Sequence, residues 1–341
     1  MWLINSSIGR KFVMALTGIC FVLFVTFHVL MNAVAIVWPT AYNQVCLFLG
    51  ANWYALIASM GLGLLFVIHI IYALCLTIQN RKARGNDAYK VNSRPASVEW
   101  SSQNMLVLGI VVVAFLGVHL VQFWAKMQAQ EICGNWYAYE NTMIPAGAGT
   151  LFLQLAFEQW WTPVVYIIGF VALWFHMNHG FWSMWQSIGW NNATWLPRLK
   201  TIACWWTSVV VLLFILQAVV FTLRANEQYY LTDGKLQLQY EEMYREHYQE
   251  KSKDLQIEYM QLQKSGDNAK MMELQQKAQA LGAEYSTSVE NLMNLADSRA
   301  AQACESEVIP ATELIPATPV EEIAEEEEIV ACSADTSIVN E

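Results

Sequence analysis

Six histidines occur in the 341-residue chain, and four of them, His28, His69, His119 and His176, each sit inside a different long apolar stretch. An imidazole buried in hydrocarbon is costly and is usually there for function. The bland alternative for any one of them is a hydrogen bond between helices to Ser, Thr or a carbonyl. Four such rings, one per stretch, favour ligation instead. Imidazole suits iron, and an iron held by two histidines has no open position for oxygen or substrate. Such a haem passes single electrons and makes or breaks no bonds itself.

Those rings need elements to hold them. Five stretches, roughly 12–37, 54–79, 104–125, 163–187 and 202–223, carry no Asp, Glu, Lys or Arg in their interiors. Each reaches the ~20 residues that span a hydrocarbon layer, and uninterrupted backbone in lipid satisfies itself as helix. Trp38, Trp53, Trp100, Trp124, Trp160, Trp161 and Trp195 fall at or near the ends, the preferred depth of an amphipathic ring. The expected fold is all-α: a five-helix transmembrane bundle with two haems in its core, followed by a polar helical and then disordered C-terminal tail.

Basic residues orient the bundle. Arg10 and Lys11 precede the first stretch, Arg81, Lys82, Arg84, Lys90 and Arg94 follow the second, and Arg198 and Lys200 follow the fourth. The first loop has no basic residue and the third only Lys126. Positive charge stays inside, so the N-terminus is expected in the cytoplasm of a multi-pass inner-membrane protein. Five crossings place the C-terminal tail on the outer, periplasmic side. The first stretch is too long for a signal peptide's apolar core and reads as a retained helix.

Depth then sorts the histidines. At about 1.5 Å per residue, His28 lies roughly 26 Å from Lys11 and His69 about 18 Å from Arg81. His119 is seven residues before Lys126, and His176 stands thirteen before Gly189. His69 and His176 therefore sit nearer the inner face, with His28 and His119 beyond them. Two levels suit two porphyrins. Gly18, Gly61, Gly63, Gly109, Gly117, Gly169 and Gly180 could let a flat macrocycle approach a helix, although glycine serves helix packing equally well.

Charge divides the chain near Arg224. Residues 1–224 hold eleven Lys/Arg against five Asp/Glu, and residues 225–341 eight against twenty-four. The overall net charge of −10 describes neither part. Residues 225–303 are polar, with Tyr240, Met243, Tyr244, His247 and Tyr248 at helical spacing. Gly266 and Gly282 are expected to interrupt a long heptad run. Residues 304–341 carry an Ile-Pro-Ala-Thr repeat and four successive Glu, too little apolar surface to order a segment. Seven cysteines form no CxxC pair, so neither zinc nor iron–sulfur ligation is suggested. Cys20, Cys75 and Cys204 read as small packing residues. Cys46 and Cys133 both fall in outward loops, where a disulfide could form.

The stretches SSIGRKFVMALTGICFVLFVTFHVLMN (6–32), LLFVIHIIYAL (64–74), VAFLGVHLVQF (113–123) and WFHMNHGFWSMWQSIGW (174–190) resemble the di-haem, five-helix cytochrome b anchor family of succinate:quinone oxidoreductases and fumarate reductases. The last carries the family's FHxxxGxWS pattern in full, and the likeness covers residues 1 to about 224. It implies two haem b groups, the inner on His69 and His176 and the outer on His28 and His119. It implies a flavoprotein subunit and an iron–sulfur subunit docked on the cytoplasmic face, with the dicarboxylate site on another chain. Arg10, Lys11 and His179 become candidates for haem-propionate or supporting contacts, His179 standing where other members carry Asn. Topology alone already accounts for Arg10 and Lys11.

The resemblance also implies menaquinone or another quinone near the outer haem, beside an acidic residue in an outward loop. Glu131, Glu140 and Glu158 are available, and Glu158 is the preferred candidate. An inner site is suggested by Ser6 and Arg10, which repeat a Ser-x-x-x-Arg spacing of other branches. Trp174 replaces a Glu that some members place two residues before the fourth ligand, so a proton route there is not assumed. Other readings stay open: the di-haem subunit of a hydrogenase or formate dehydrogenase, or a non-redox scaffold or transporter with packing histidines. No phosphate loop, dinucleotide fingerprint, hydrolase elbow or basic nucleic-acid-binding tail is present.

Overall fold

Apolar residues that run through every face of a helix leave it no stable place in water, and five helices of this chain have that character. The computed structural model describes residues 6–84, 99–265 and 268–307. Among them, α1 (Ser7–Val37), α3 (Trp53–Arg84), α5 (Met105–His119) with the π-helical turn that continues it (Leu120–Trp124), α8 (Trp161–Ser187) and α9 (Trp195–Asn226) are long and apolar enough to cross a membrane. Leu23, Ile57, Val107, Ile168 and Leu212 stand exposed on their flanks, as lipid-facing residues would. None of α3's most apolar window is buried, whereas 39% of α9's is. So α3 stands at the margin and α9 at the centre.

The ends of these helices follow local chemistry. The Ser6 hydroxyl accepts the Gly9 N–H at 2.9 Å and starts α1. Pro39 stops its continuation and opens α2 (Pro39–Ala51) at the first turn, where a missing N–H costs nothing. The sequence predicts only a loop here. It also predicts a third span unbroken to Ala125, but the α-helix ends at His119 and widens by one π turn. A short turn, α4 (Trp100–Gln103), precedes α5.

Between the third and fourth spans lie α6 (Gln128–Ile132) and a two-stranded antiparallel ribbon, β1 (Tyr137–Tyr139) and β2 (Thr142–Ile144). Then comes α7 (Gly149–Phe157), whose nine residues are all buried. Cys46 and Cys133 are free thiols, and Cys46 packs against Gly149. Cys75 and Cys204 are exposed rather than packed inside.

After α9 the chain turns through Gln228, at φ 55°, into α10 (Tyr229–Thr232), α11 (Gly234–Ser265) and α12 (Asn268–Glu307). Gly282 lies inside α12 without breaking it. Gly266 and the acidic stretch 308–341 fall outside the described residues, as do Lys90 and Arg94. The extension does not stand apart from the bundle. Tyr230, Tyr240 and Tyr244 are fully buried in one continuous core with α7, α8 and α9. Asn43 of α2 links the pieces: its side-chain oxygen accepts from Thr150 N–H and Oγ1, and its amide donates to Gln239. The Tyr244 hydroxyl donates to the Met143 carbonyl of β2.

Candidate functional site

His28 on α1, His69 on α3, His119 at the end of α5 and His176 on α8 meet in two pairs. The rings of His28 and His119 have centroids 5.7 Å apart and planes at 89°. Those of His69 and His176 are 6.4 Å apart at 58°. Two imidazoles gripping one metal at about 2 Å each, with ring centres about 1 Å further back, would stand roughly 6 Å apart. Both pairs meet that spacing. All four residues are of intermediate exposure.

Aromatic rings surround each pair. Phe24 stacks on His28 at 5.3 Å, and Phe115 and Phe123, one turn either side of His119, flank it at 6.1 and 5.3 Å. Phe21 meets His69 edge-on at 5.3 Å. Polar contacts reach the ring nitrogens from behind. His69 Nδ1 lies 2.9 Å from the Thr17 hydroxyl, and His119 Nδ1 lies 3.3 Å from the Tyr166 hydroxyl. Among the described residues His176 Nδ1 is buried without a partner, a polar atom whose presence in a core asks for a reason. The donor chemistry, spacing and exposure of the two pairs fit a bis-imidazole iron centre.

Two of the glycines meet different neighbours. Gly169 takes the Phe115 ring directly on its backbone, which is helix packing. A side-chain carbon at Gly109 would stand 3.6 Å from His176 Cε1, so that glycine borders the His176 ring.

The remaining residues singled out in the sequence are placed as follows. Ser6 is used as the cap of α1, and the Arg10 guanidinium lies 2.8 Å from the Gln79 side-chain amide, which accepts from it when the amide oxygen is turned toward Arg10. Lys11 is exposed. His179 Nδ1 lies 3.7 Å from Glu99, whose carboxylate takes the Lys200 ammonium at 2.7 Å. Glu158 accepts from the Tyr139 hydroxyl at 3.2 Å and faces Arg299 of α12 at 4.0 Å. Burial and the Glu158 charge push Tyr139 up to about 12, so it stays a neutral donor. Arg299 also holds Glu140 at 3.0 Å. Two of the three acids in this long loop are thus tied to the extension.

Glu131 differs. Its carboxyl lies against Gly50 of α2, and burial raises its pKa. Two residues to either side of Gly50, Phe48 and Asn52 line an open groove of about 490 Å³ with Gln44, Leu47, Trp53 and Tyr54. Sequence reasoning passed over Thr17, Gln122, Thr162 and Tyr166, although a Gln inside an apolar span is itself a signal. Comparison of the chain with protein-family models, with curated proteins and with solved structures found no match to any of them.

Proposed function

We propose that the chain is the membrane anchor and di-haem cytochrome b subunit of a succinate:quinone oxidoreductase or quinol:fumarate reductase. The observation that carries this is the meeting of four histidines from four helices in two pairs at 5.7 and 6.4 Å. His28 and His119 would hold one haem b iron, His69 and His176 the other. When bound, the two haems relay single electrons and do no bond chemistry. The chain's own part is to fix the imidazoles, exclude water with Phe21, Phe24, Phe115 and Phe123, and keep the two centres in one bundle.

In this reading the end bearing Arg10, Glu99 and Lys200 faces the cytoplasm and receives the iron–sulfur subunit, which in turn carries the flavoprotein. The opposite end, where α11 and α12 fold against one another as a helical hairpin (Tyr248 meeting Ser288 and Tyr285), faces outward. The quinone head group fits the groove between Gln44 and Asn52 better than it fits Glu158, because Glu158 is already engaged. Glu131, whose carboxyl lies against Gly50 between Phe48 and Asn52, is then the acid proposed to serve it.

A reduced-minus-oxidised spectrum of the purified chain tests the haem assignment. Two b-type centres are expected. His28→Ala and His119→Ala should each remove the same centre, and His69→Ala and His176→Ala the other. A chain without visible bands, or variants that keep both centres, would end the proposal. Co-purification with a flavin-bearing dicarboxylate subunit separates this complex from a hydrogenase or formate dehydrogenase.

A further inference from the structure

We infer that Thr17 and Tyr166 are positioning residues that fix the tautomers of His69 and His119 and tune the two metal centres unequally. The inference rests on the two-haem reading and concerns residues that reading does not use.

A histidine that binds metal through Nε2 must carry its proton on Nδ1, and the partner of that N–H fixes both tautomer and ring orientation. A hydroxyl has one proton to give. The Thr17 hydroxyl lies 3.0 Å from the Val13 and Met14 carbonyls of its own helix. Carbonyls only accept, so the Thr17 proton points to them. Toward His69 it therefore presents a lone pair, and the 2.9 Å contact is an Nδ1–H donating to Thr17. Nε2 is left as a bare lone pair.

Tyr166 reaches the same result by a longer chain. Its hydroxyl donates to Gln122 Oε1 at 2.9 Å. The Gln122 amide nitrogen donates to Thr162 Oγ1 at 3.0 Å, leaving the amide oxygen to accept from the phenol. The phenol proton is committed, so its oxygen accepts from His119 Nδ1–H at 3.3 Å. Gln122 lies in the π turn directly after His119. That widened turn supplies the relay to the ligand one helical turn away.

Among the described residues each pair thus has one tethered ring and one without such a tether: His176 Nδ1 has no partner, and the His28 ring meets the rings of Phe24, Phe214 and His119. Hydrogen bonding at Nδ1 makes the imidazole a stronger electron donor, which favours the oxidised metal and lowers its reduction potential. The 2.9 Å tether on His69 should do this more than the 3.3 Å tether on His119.

Redox titration of the purified full-length chain, followed by haem absorption, tests this with Thr17→Val, Thr17→Ser and Tyr166→Phe. The centre concerned is identified against His119→Ala, which keeps only the His69/His176 site. Thr17→Val should raise the potential of the His69/His176 centre and leave the other unmoved. Thr17→Ser should restore it. Tyr166→Phe should raise the His28/His119 centre by a smaller shift. Should Thr17→Val lose its haem, with affinity down about 10–100-fold, retention by Thr17→Ser would support the tether. Equal loss in both Thr17 variants would overturn it, as would unshifted or lowered potentials in Thr17→Val and Tyr166→Phe. A wild-type chain without haem would instead take down the proposed function itself, and the tuning role with it.

Discussion

The two ends of the bundle are built differently. At the hairpin end, α7, α10 and α11 bring Phe152, Tyr230, Tyr240 and Tyr244 into a dry continuous core. Arg224 of α9 caps α1 there, donating to the Ala35 and Ile36 carbonyls at 2.9 and 2.8 Å. At the other end the core shrinks to Trp182, Leu199 and Ala203. Ionic contacts take over: Lys200 pairs with Glu99 and sits 4.3 Å over the Trp182 ring. Between the ends, helices in lipid gain little from burying apolar surface against one another. The hydrophobic effect can therefore fasten this bundle only where it meets water, and the chain concentrates that fastening at the hairpin end. His28, His119 and the Tyr166 relay lie against the fastened end, where Tyr166 packs on Phe157 of α7 at 5.2 Å. In the proposed complex the lightly packed end is the one a partner subunit covers.

Breaking the fastened end should have the largest effect. Tyr240 is 1% exposed, its hydroxyl donates to the Tyr230 carbonyl at 2.9 Å, and it lies 2.8 Å from Thr150 Oγ1. Tyr240→Ala should cost about 3–5 kcal/mol, the usual range for deleting a large buried ring. Limited proteolysis should then cleave α11 and α12 faster. In the proposed di-haem state, thermal loss of the His28/His119 centre should precede that of the other. Equal loss of both centres would mean that the hairpin supports the whole bundle and not one end of it.

A milder perturbation of the same end is proton uptake. His247 of α11 packs on Trp136 at 4.2 Å. Burial, then Lys251, hold it below its ordinary 6.5, against smaller opposing pulls from Glu250 and Glu284. The unfolded hairpin therefore binds more protons than the docked one in the window below pH 6.5. Docking is strongest above that pH and weakens as pH falls through the window toward the folded value. Trp136 fluorescence should report this, and His247→Phe should abolish it. A docked hairpin insensitive to pH between 7 and 5 (roughly the range a single His controls) would remove His247 from the interface.

The spans were legible in the sequence because one signal, unbroken apolarity, determines a lipid-facing helix with no help from its neighbours. The histidine pairing was legible too, since helical rise sorts the residue numbers into the two pairs that meet. What stayed hidden depends on partners far along the chain. Glu158 looked like a free acid until Arg299, from the polar extension, came to face it. The extension read as separate because its composition is polar, yet Tyr230, Tyr240 and Tyr244 carry enough apolar ring to bury themselves against α7. Thr17 and Gln122 acquire meaning only once His69 and Tyr166 are known to stand beside them.

The smallest effect is expected at the lightly built end. Glu99 and Lys200 are each more than a third exposed on their side chains. Water screens such a pair, and it contributes only about 0.2–1 kcal/mol. Glu99→Gln keeps the shape and removes the charge that holds Lys200 and faces His179. In the isolated chain its unfolding temperature should barely move, far less than for Tyr240→Ala. In the assembled complex the same change should matter more, because a docked subunit would strip water from the pair and leave the Lys200 charge without its partner. Measuring both states separates the two roles. A large loss of stability in the isolated chain would show that this end is fastened by charge after all, and that the asymmetry between the ends is smaller than their packing implies.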